Sequence, residues 1–294
     1  VRTIRPAFVV LAGDIIWGDV DSNPSRPAEL IAEWNSVDSA LATLGVPIYR
    51  VPGNHDIPDV GARDIWVRRY GRPPSVVTVR GTRLILLTSA FIPPDGDTTH
   101  HKYMNGVDLD SGQVAFLKRT LADTGYSHTF VFTGHLLWWE RPDGRWWREV
   151  HPLLVAARVD NVFSGDYGPL KFSTRELGGV RYYQTSIEGS APSLAMLQRR
   201  IGSRLLSSQF DNFLEVRVGG DSVQVVVQTV GEVSSGMFTP ETWAAIEDVA
   251  PPSVAARIRP LVDSWKKKTA LTILVLGLFG AGLLVGRAGR GHGA

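Results

Sequence analysis

The stretch Val46-Pro47-Ile48-Tyr49-Arg50-Val51, followed by Pro52-Gly53-Asn54-His55-Asp56, decides how the rest of the chain is interpreted. Its first half is a short, largely apolar run that ends at a proline and a glycine, which predicts a buried strand. Its second half places an amide, an imidazole and a carboxylate directly after that strand. Loops that follow sheet strands are where α/β proteins place their functional sites. We therefore expect a functional site at the end of this strand.

Three further predicted strands end in the same way, with a glycine and then a polar side chain: Phe8–Ala12 before Gly13-Asp14, Thr129–Thr133 before Gly134-His135, and Asn161–Ser164 before Gly165-Asp166. A glycine allows the backbone to approach a site without a clashing Cβ atom. The polar side chains are Asp14, Asn54, His135 and Asp166, whose oxygen and imidazole ligands suit Mn²⁺, Fe²⁺ or Zn²⁺. The sequence therefore predicts a site for one or two divalent metal ions.

The order of the predicted elements indicates the fold class. Helical periodicity extends over Pro27–Leu44, Asp59–Tyr70 and Ser111–Thr124, and these segments alternate with strands in the first half of the chain. In the second half, strands follow one another more directly. This order predicts an α/β fold of the α+β sandwich type, in which two mixed β-sheets are flanked by helices as four αββα layers.

Composition excludes several classes of protein. The 294 residues include no cysteine, which excludes a disulfide framework and any cysteine-ligated zinc or iron–sulfur site. With 44% hydrophobic residues and a formal net charge of +2, the chain is not intrinsically disordered. Seven basic residues and one acidic residue lie between Pro251 and Ala294, so the remainder is net negative. We expect no nucleic-acid partner, because the predicted folded body lacks a basic balance.

The C-terminal region predicts a membrane anchor. Residues 269–286 contain no charge, and as a helix these 18 residues would span roughly 27 Å, close to the ~30 Å hydrocarbon core. We expect a folded domain at 1–235, a helical linker with a basic juxtamembrane run at 236–268, a transmembrane helix at 269–286 and a short tail at 287–294.

The orientation and assembly of this anchor stay open. More basic residues precede the apolar segment than follow it, so the positive-inside rule places the large domain in the cytoplasm. A signal peptide upstream of Val1 would override that rule. Gly282 and Gly286 form a small-xxx-small pair, which is compatible with a helix-mediated dimer.

The order of the polar motifs resembles that of the calcineurin-like metallophosphoesterases, over roughly residues 7–230. Ala12-Gly13-Asp14 resembles the second family motif, Gly53-Asn54-His55-Asp56 the third, and His135 the metal-binding histidine of the fourth. The resemblance implies that Asp14 bridges two metal ions and that Asn54 binds the second. It also implies that His55 protonates the leaving group or stabilises the transition state.

Weaker features of the resemblance concern supporting residues. Ser111-Gly112-Gln113 resembles the start of the glutamine-containing helix between the third and fourth motifs. Asp56 would lie behind the metal ligands and orient one of them. Trp138 and Trp139 follow His135 and would pack in the core or a lid, or stack on a nucleobase or sugar. Arg141 would be a surface charge or a contact for a substrate phosphate.

Two departures from the family pattern affect the metal count. The first motif, Asp-x-His, would precede Asp14 by a strand and a helix, whereas only 13 residues precede it; we expect a fragment without its first strand. The fifth motif, Gly-His-x-His, reads Gly165-Asp166-Tyr167-Gly168. Asp166 would replace the first histidine at the second metal, and Gly168 offers no side chain to the first.

The resemblance implies a membrane-anchored, metal-dependent phosphoesterase that hydrolyses a phosphomonoester or phosphodiester with metal-activated water. In that enzyme Asp14 and His55 would be catalytic, and Asp14, Asn54, His135 and Asp166 would hold one or two ions. The altered fifth motif keeps an alternative open. In the alternative, the chain is a catalytically degenerate phosphoesterase fold that serves as a membrane-tethered binding or scaffold module.

Overall fold

The computed structural model describes residues 3–19, 22, 24–90, 109–140, 144–165, 172–187 and 211–230. All of these residues lie in one compact unit, Val1–Val249. The strands are β1 (Val9–Ala12), β2 (Ile48–Val51), β3 (Ser75–Val79), β4 (Thr82–Leu86), β5 (His128–Thr133), β6 (Asn161–Ser164), β7 (Ser173–Leu177), β8 (Val180–Gln184), β9 (Asn212–Gly219) and β10 (Ser222–Thr229). The α-helices are α1 (Pro27–Ala42), α2 (Val60–Tyr70), α3 (Ser111–Leu121), α4 (Leu137–Glu140) and α5 (His151–Ala156), and a π-helical turn, Trp146–Val150, precedes α5.

A six-stranded mixed sheet forms the centre, with strand order β3-β4-β5-β6-β8-β7. The pairs β4–β5, β5–β6 and β6–β8 are parallel, whereas β3 and β7 pair antiparallel at the two edges. Strands β4, β5 and β6 are buried along their whole length, because both faces of the sheet are covered. The carboxyl ends of β5 and β6 therefore meet at one edge, where His135 and Gly165 follow.

The second predicted mixed sheet is divided, in the described part of the chain, into two separate pairs of strands. β1 and β2 pair in parallel, and β9 and β10 form an antiparallel hairpin. Both pairs contribute to one apolar cluster on a single face of the six-stranded sheet, with Val10 and Tyr49 from the first pair and Leu214 and Val216 from the second. These strands form a second layer on that face, and among the described residues no ladder joins the two pairs into one sheet.

Helices α3 and α5 cover the opposite face of the six-stranded sheet and share a cluster with Ile85, Val131 and Val162. Helices α1 and α2 form a third cluster, in which Trp34 packs edge-on against Trp66. That cluster also holds Ile16 and Ile57, which lie in the loops after β1 and β2. The helices thus fix the two loops that carry the predicted site residues.

The helix ends follow local capping signals. The Asp59 side chain accepts a hydrogen bond from the Ala62 N–H at the start of α2, and the Asp110 side chain accepts one from the Gln113 N–H at the start of α3.

Three elements were not predicted from the sequence: β7, α4 and the π-helical turn. β7 reads Ser-Thr-Arg-Glu-Leu and lies at a sheet edge, so it lacks the apolar alternation that predicts strands.

The predicted linker, transmembrane helix and tail at 236–294 lie outside the described residues. Among the described helices, none has both the length and the apolar character needed to cross a bilayer.

His128 joins the β9–β10 hairpin to the six-stranded sheet. Its Nδ1 is 3.1 Å from a carboxylate oxygen of Asp160, and its Nε2 is 2.9 Å from the Gly220 carbonyl oxygen in the hairpin turn. Both partners only accept hydrogen bonds, so the full arrangement requires a doubly protonated ring. Burial opposes the charge, but these two hydrogen bonds and the charges of Asp160 and Asp221 together raise the pKa of His128.

We expect the protein to lose stability as the pH rises above neutrality. The folded-state pKa is raised, so the contribution of His128 is complete below its unfolded-state pKa of about 6.5 and disappears as the pH rises through the folded-state value. A neutral ring has a single N–H, so one of the two acceptors loses its donor, at a cost of about 1 kcal/mol. Urea unfolding of the wild type and of His128→Gln at pH 6 and pH 9 measures how the free energy of unfolding of each protein changes with pH. An equal pH dependence in both proteins would contradict it.

Candidate functional site

Glycines bring three loops together at the ends of the strands. A Cβ atom on Gly13 would lie 3.0 Å from the Cα atom of Gly134, and a Cβ atom on Gly53 would overlap the backbone nitrogen and carboxylate of Asp14. The Gly13 N–H donates to the Val51 carbonyl at 2.9 Å, which continues the β1–β2 pairing into the site. The loops that carry Asp14, Asn54 and His135 therefore converge, as the strand-end pattern predicts.

Asp14 is exposed, and its backbone adopts a left-handed conformation with φ 48°. Aspartate and asparagine tolerate this conformation better than most residues. One oxygen of its carboxylate accepts a hydrogen bond from the His55 N–H at 3.0 Å. The contact fixes the carboxylate beside the loop that follows β2.

Asn54 and His135, 81 residues apart in sequence, meet in the site. The Asn54 Oδ1 atom is 2.8 Å from the His135 Nε2 atom. This is a hydrogen-bond distance, so the two side chains face each other in the site. With Asp14 nearby, their oxygen and imidazole donors fit a hard or borderline divalent metal.

The structure brings fewer strong ligands together than the sequence predicts. Within the described ranges, no three histidine or acidic side chains converge as they would in a complete metal centre. Asp166, the fourth predicted ligand, lies outside the described residues. The residue before it, Gly165, packs so closely on Ala12 that a Cβ atom would overlap the Ala12 carbonyl oxygen. The fifth-motif segment thus begins beside the last residue of β1.

The Ser89 hydroxyl contacts the His135 ring on the side opposite Asn54, a role that was not predicted from the sequence. Its hydroxyl lies 2.7 Å from His135 Nδ1 and also accepts the His135 N–H at 2.9 Å. Because a hydroxyl both donates and accepts, it fits either ring tautomer. Gln113 in turn fixes the neighbouring Thr88 backbone through hydrogen bonds of 2.8 and 2.6 Å, so the glutamine of α3 supports the site indirectly.

Ser89→Ala is expected to weaken binding of divalent metal by about 10-fold. Partners that orient a metal-binding histidine contribute 10- to 100-fold in affinity, and the serine hydroxyl is the partner that the structure shows on Nδ1. Titration calorimetry with MnCl₂ measures the change. Ser222→Ala, which removes an exposed hydroxyl in the β9–β10 turn, is the matched control. Equal affinity in the two variants would show that Ser89 does not orient the ring.

Asp56 is fully buried and joins the loops after β1 and β2. Its carboxylate accepts three backbone hydrogen bonds: from Gly53 at 2.8 Å, from Ile15 at 2.8 Å and from Ile16 at 3.2 Å. Burial and the charge of Asp14 raise the pKa of Asp56 to about 8, and the three N–H donors oppose that increase. Asp56 lies behind the ligands, as predicted, but it holds backbone groups and not a ligand side chain.

His55 is oriented by the loop after β1. Its Nδ1 atom lies 2.8 Å from the carbonyl oxygen of Trp17, so Nδ1 carries the proton that is donated to this oxygen. The Trp17 indole packs against the imidazole with ring centroids 5.2 Å apart. These two contacts fix the tautomer and the orientation of the imidazole.

Of the three residues predicted to bind substrate, Trp138 is the one whose side chain lies among the described residues. Trp138 is only 1% exposed and packs on Trp146 and Tyr182, so the prediction that it contacts substrate is wrong and the core interpretation holds. The Trp139 side chain and Arg141 lie outside the described residues.

A sequence model of the calcineurin-like phosphoesterases matches residues 1–167. The chain belongs to this family. A comparison with curated proteins found no match to this chain.

Three solved structures are similar to parts of this chain. A dimetal phosphatase from Danio rerio is 14% identical, covering 62% of this chain and 73% of its own, with a TM-score of 0.48. GAP50, the anchor in the inner membrane complex of Plasmodium, is 12% identical over 71% of this chain and 75% of its own, with a TM-score of 0.39. A Vps29 variant from Entamoeba histolytica is 13% identical over 76% and 82%, with a TM-score of 0.32. These identities are too low to transfer a function.

Proposed function

We propose that this calcineurin-like phosphoesterase is a metal-dependent hydrolase of phosphoric esters. The observation that carries the proposal is the 2.8 Å contact between Asn54 Oδ1 and His135 Nε2, beside Asp14 and His55. Family membership over residues 1–167 supports the same conclusion.

Asp14, Asn54 and His135 would hold one divalent ion, and Asp166 would add a ligand to it. When bound, the ion supplies positive charge that stabilises the phosphoryl group in the transition state and acidifies water. Asp14 contributes one negative charge to the donor set. Ser89 and Asp56 fix the ring and the two loops, so that the ligands need little reorganisation.

His55 would act on the leaving group. In the hydrolysis a water oxygen forms a bond to phosphorus while the bond from phosphorus to the leaving oxygen breaks. The leaving oxygen then takes a proton from His55 Nε2. The Trp17 carbonyl accepts a hydrogen bond from Nδ1 and stabilises the imidazolium form that donates this proton.

The test is hydrolysis by the full chain after metal removal, with Mn²⁺ or Zn²⁺ added back and with p-nitrophenyl or methyl esters of phosphate as substrates. We expect activity only with metal. His55→Asn, which keeps a donor toward Trp17, should lose about 100-fold on methyl esters and much less on p-nitrophenyl esters, because p-nitrophenolate leaves without a proton. Metal binding without any hydrolysis would instead favour the binding or scaffold module.

We also propose that residues 269–286 anchor the domain in a membrane. The support is the 18-residue uncharged run, flanked by Lys266-Lys267-Lys268 and by Arg287. Expressed in cells, the full chain should stay in the membrane pellet after alkaline carbonate washing, and a chain ending at residue 265 should appear in the supernatant. A full chain released by the wash would contradict the anchor.

A further inference from the structure

We propose that Trp17 selects the substrate, by stacking on an aromatic ring carried by the leaving group. This inference rests on the proposed function, in which His55 faces the leaving oxygen. Trp17 is 60% exposed although it is a large apolar side chain. Exposed apolar residues are ordinary when scattered, so the case rests on where this one lies.

Trp17 lies beside His55. The two rings are 5.2 Å apart with an interplanar angle of 57°, so the indole stands beside the imidazole and extends the site toward solvent. A leaving group that takes its proton from His55 Nε2 therefore has the indole as its neighbour. Trp138, the tryptophan that the sequence placed near substrate, is buried and cannot offer a ring face to a ligand.

The loop that carries Trp17 is held on both sides. The Ile15 and Ile16 N–H groups donate to buried Asp56, and the Gly18 N–H donates to a carboxylate oxygen of Glu33 at 2.8 Å. The Trp17 carbonyl is itself bonded to His55. A binding surface fixed before the ligand arrives avoids the entropic cost of ordering it, which increases affinity.

A fixed indole favours flat rings over flexible chains. Stacking of a base on an aromatic side chain is commonly worth a factor of ten or more in affinity, and it depends on the π-face and not on hydrogen bonds. The chemical class that fits is therefore a phosphate ester of a nucleoside or of an aryl alcohol. An alkyl or lipid ester would lack the face that Trp17 presents.

The test compares ligands that share a phosphate, so it does not require turnover. Calorimetry on the full chain with MnCl₂ would use adenosine 5′-monophosphate, ribose 5-phosphate and n-hexyl phosphate. We expect the wild type to bind adenosine 5′-monophosphate about tenfold more tightly than either of the others. Trp17→Ala, which keeps the backbone carbonyl on His55, should abolish the difference, and Trp17→Phe should keep most of it. Ile187→Ala, at an equally exposed apolar side chain, should change nothing.

The outcomes separate the two proposals. A preference for the base that Trp17→Ala removes supports the inference even if no ester is hydrolysed, which would then count against the proposed function alone. A wild type that binds the three ligands equally, or binds none of them, overturns the inference even if hydrolysis is found. A third outcome is that Trp17→Ala loses as much affinity for n-hexyl phosphate as for adenosine 5′-monophosphate. That result would show that Trp17 prefers apolar groups in general and not aromatic rings, and it would overturn the inference too.

Discussion

Asp14→Asn should leave the protein folded while lowering kcat/KM for ester hydrolysis by about 1,000-fold. The substitution removes one carboxylate charge from the proposed donor set, and metal-ion stabilisation of a transition state is worth several kcal/mol. Three factors of ten correspond to about 4 kcal/mol at 1.36 kcal/mol each. Asparagine retains an oxygen that can accept the His55 N–H, and it tolerates the left-handed backbone at this position.

The measurement is a Michaelis–Menten series with saturating Mn²⁺, together with a thermal unfolding curve for each protein. Asp64→Asn is the matched control, because Asp64 lies on the exposed side of α2 and its carboxylate pairs only loosely with Arg63, at 3.4 Å. We expect wild-type activity in the control and an unchanged Tm in both variants. Hydrolysis in Asp14→Asn within threefold of the wild type would show that this carboxylate does not hold the ion.

Much of the candidate site was predictable because it depends on strand ends. Parallel strands place their carboxyl ends at one edge, so polar residues that follow them converge whatever their separation in sequence. Asn54 follows β2 and His135 follows β5, which belong to two sheets that pack face to face, and the residues after both strands lie within contact distance. The glycine before each of them was also informative, since a Cβ atom on Gly134 would lie only 3.3 Å from the Cα atom of Gly53.

The residues that the sequence analysis missed act through distance and burial, which a linear pattern does not contain. Ser89 follows β4 closely, yet its role appears only when its hydroxyl is seen 2.7 Å from the His135 ring. Trp17 and Trp138 are chemically identical, and both follow a predicted ligand by three residues. Trp17 is exposed beside His55, whereas Trp138, within α4, is buried against Trp146 and Tyr182, so only packing distinguishes a binding residue from a core residue.

The division of the second strand layer has a similar cause. Short apolar runs predict β1 and β2 as strands, but they do not determine which strand edges pair. The hairpin satisfies its backbone groups locally over eight register pairs, and β1 pairs with β2 over four. Side-chain packing on Phe130, Phe132 and Phe163 then places both pairs on one face of the large sheet without a ladder between them, as far as the described residues extend.

Gly53→Ala is expected to destabilise the fold and to impair the site together. The added Cβ atom would overlap the Asp14 backbone nitrogen as well as its carboxylate, so a change of side-chain rotamer cannot relieve the clash. The loops after β1 and β2 must move apart, at a cost of about 3 kcal/mol, which lowers the Tm by roughly 6–12 °C in a domain of this size. A displacement of about 1 Å at Asp14 would also reduce kcat by about 100-fold.

Two other glycines provide the controls, because they separate the contact from the backbone strain. Gly219 has no atom within 4 Å of a built Cβ and no left-handed φ, so Gly219→Ala should be neutral or slightly stabilising. Gly179 also faces open space but has φ +81°, so Gly179→Ala should cost only the strain, about 1 kcal/mol. The Tm measured by calorimetry should be highest for Gly219→Ala, lower for Gly179→Ala and lowest for Gly53→Ala. A Tm of Gly53→Ala that is no lower than that of Gly179→Ala would show that the close approach of the two loops does not hold Asp14 in place.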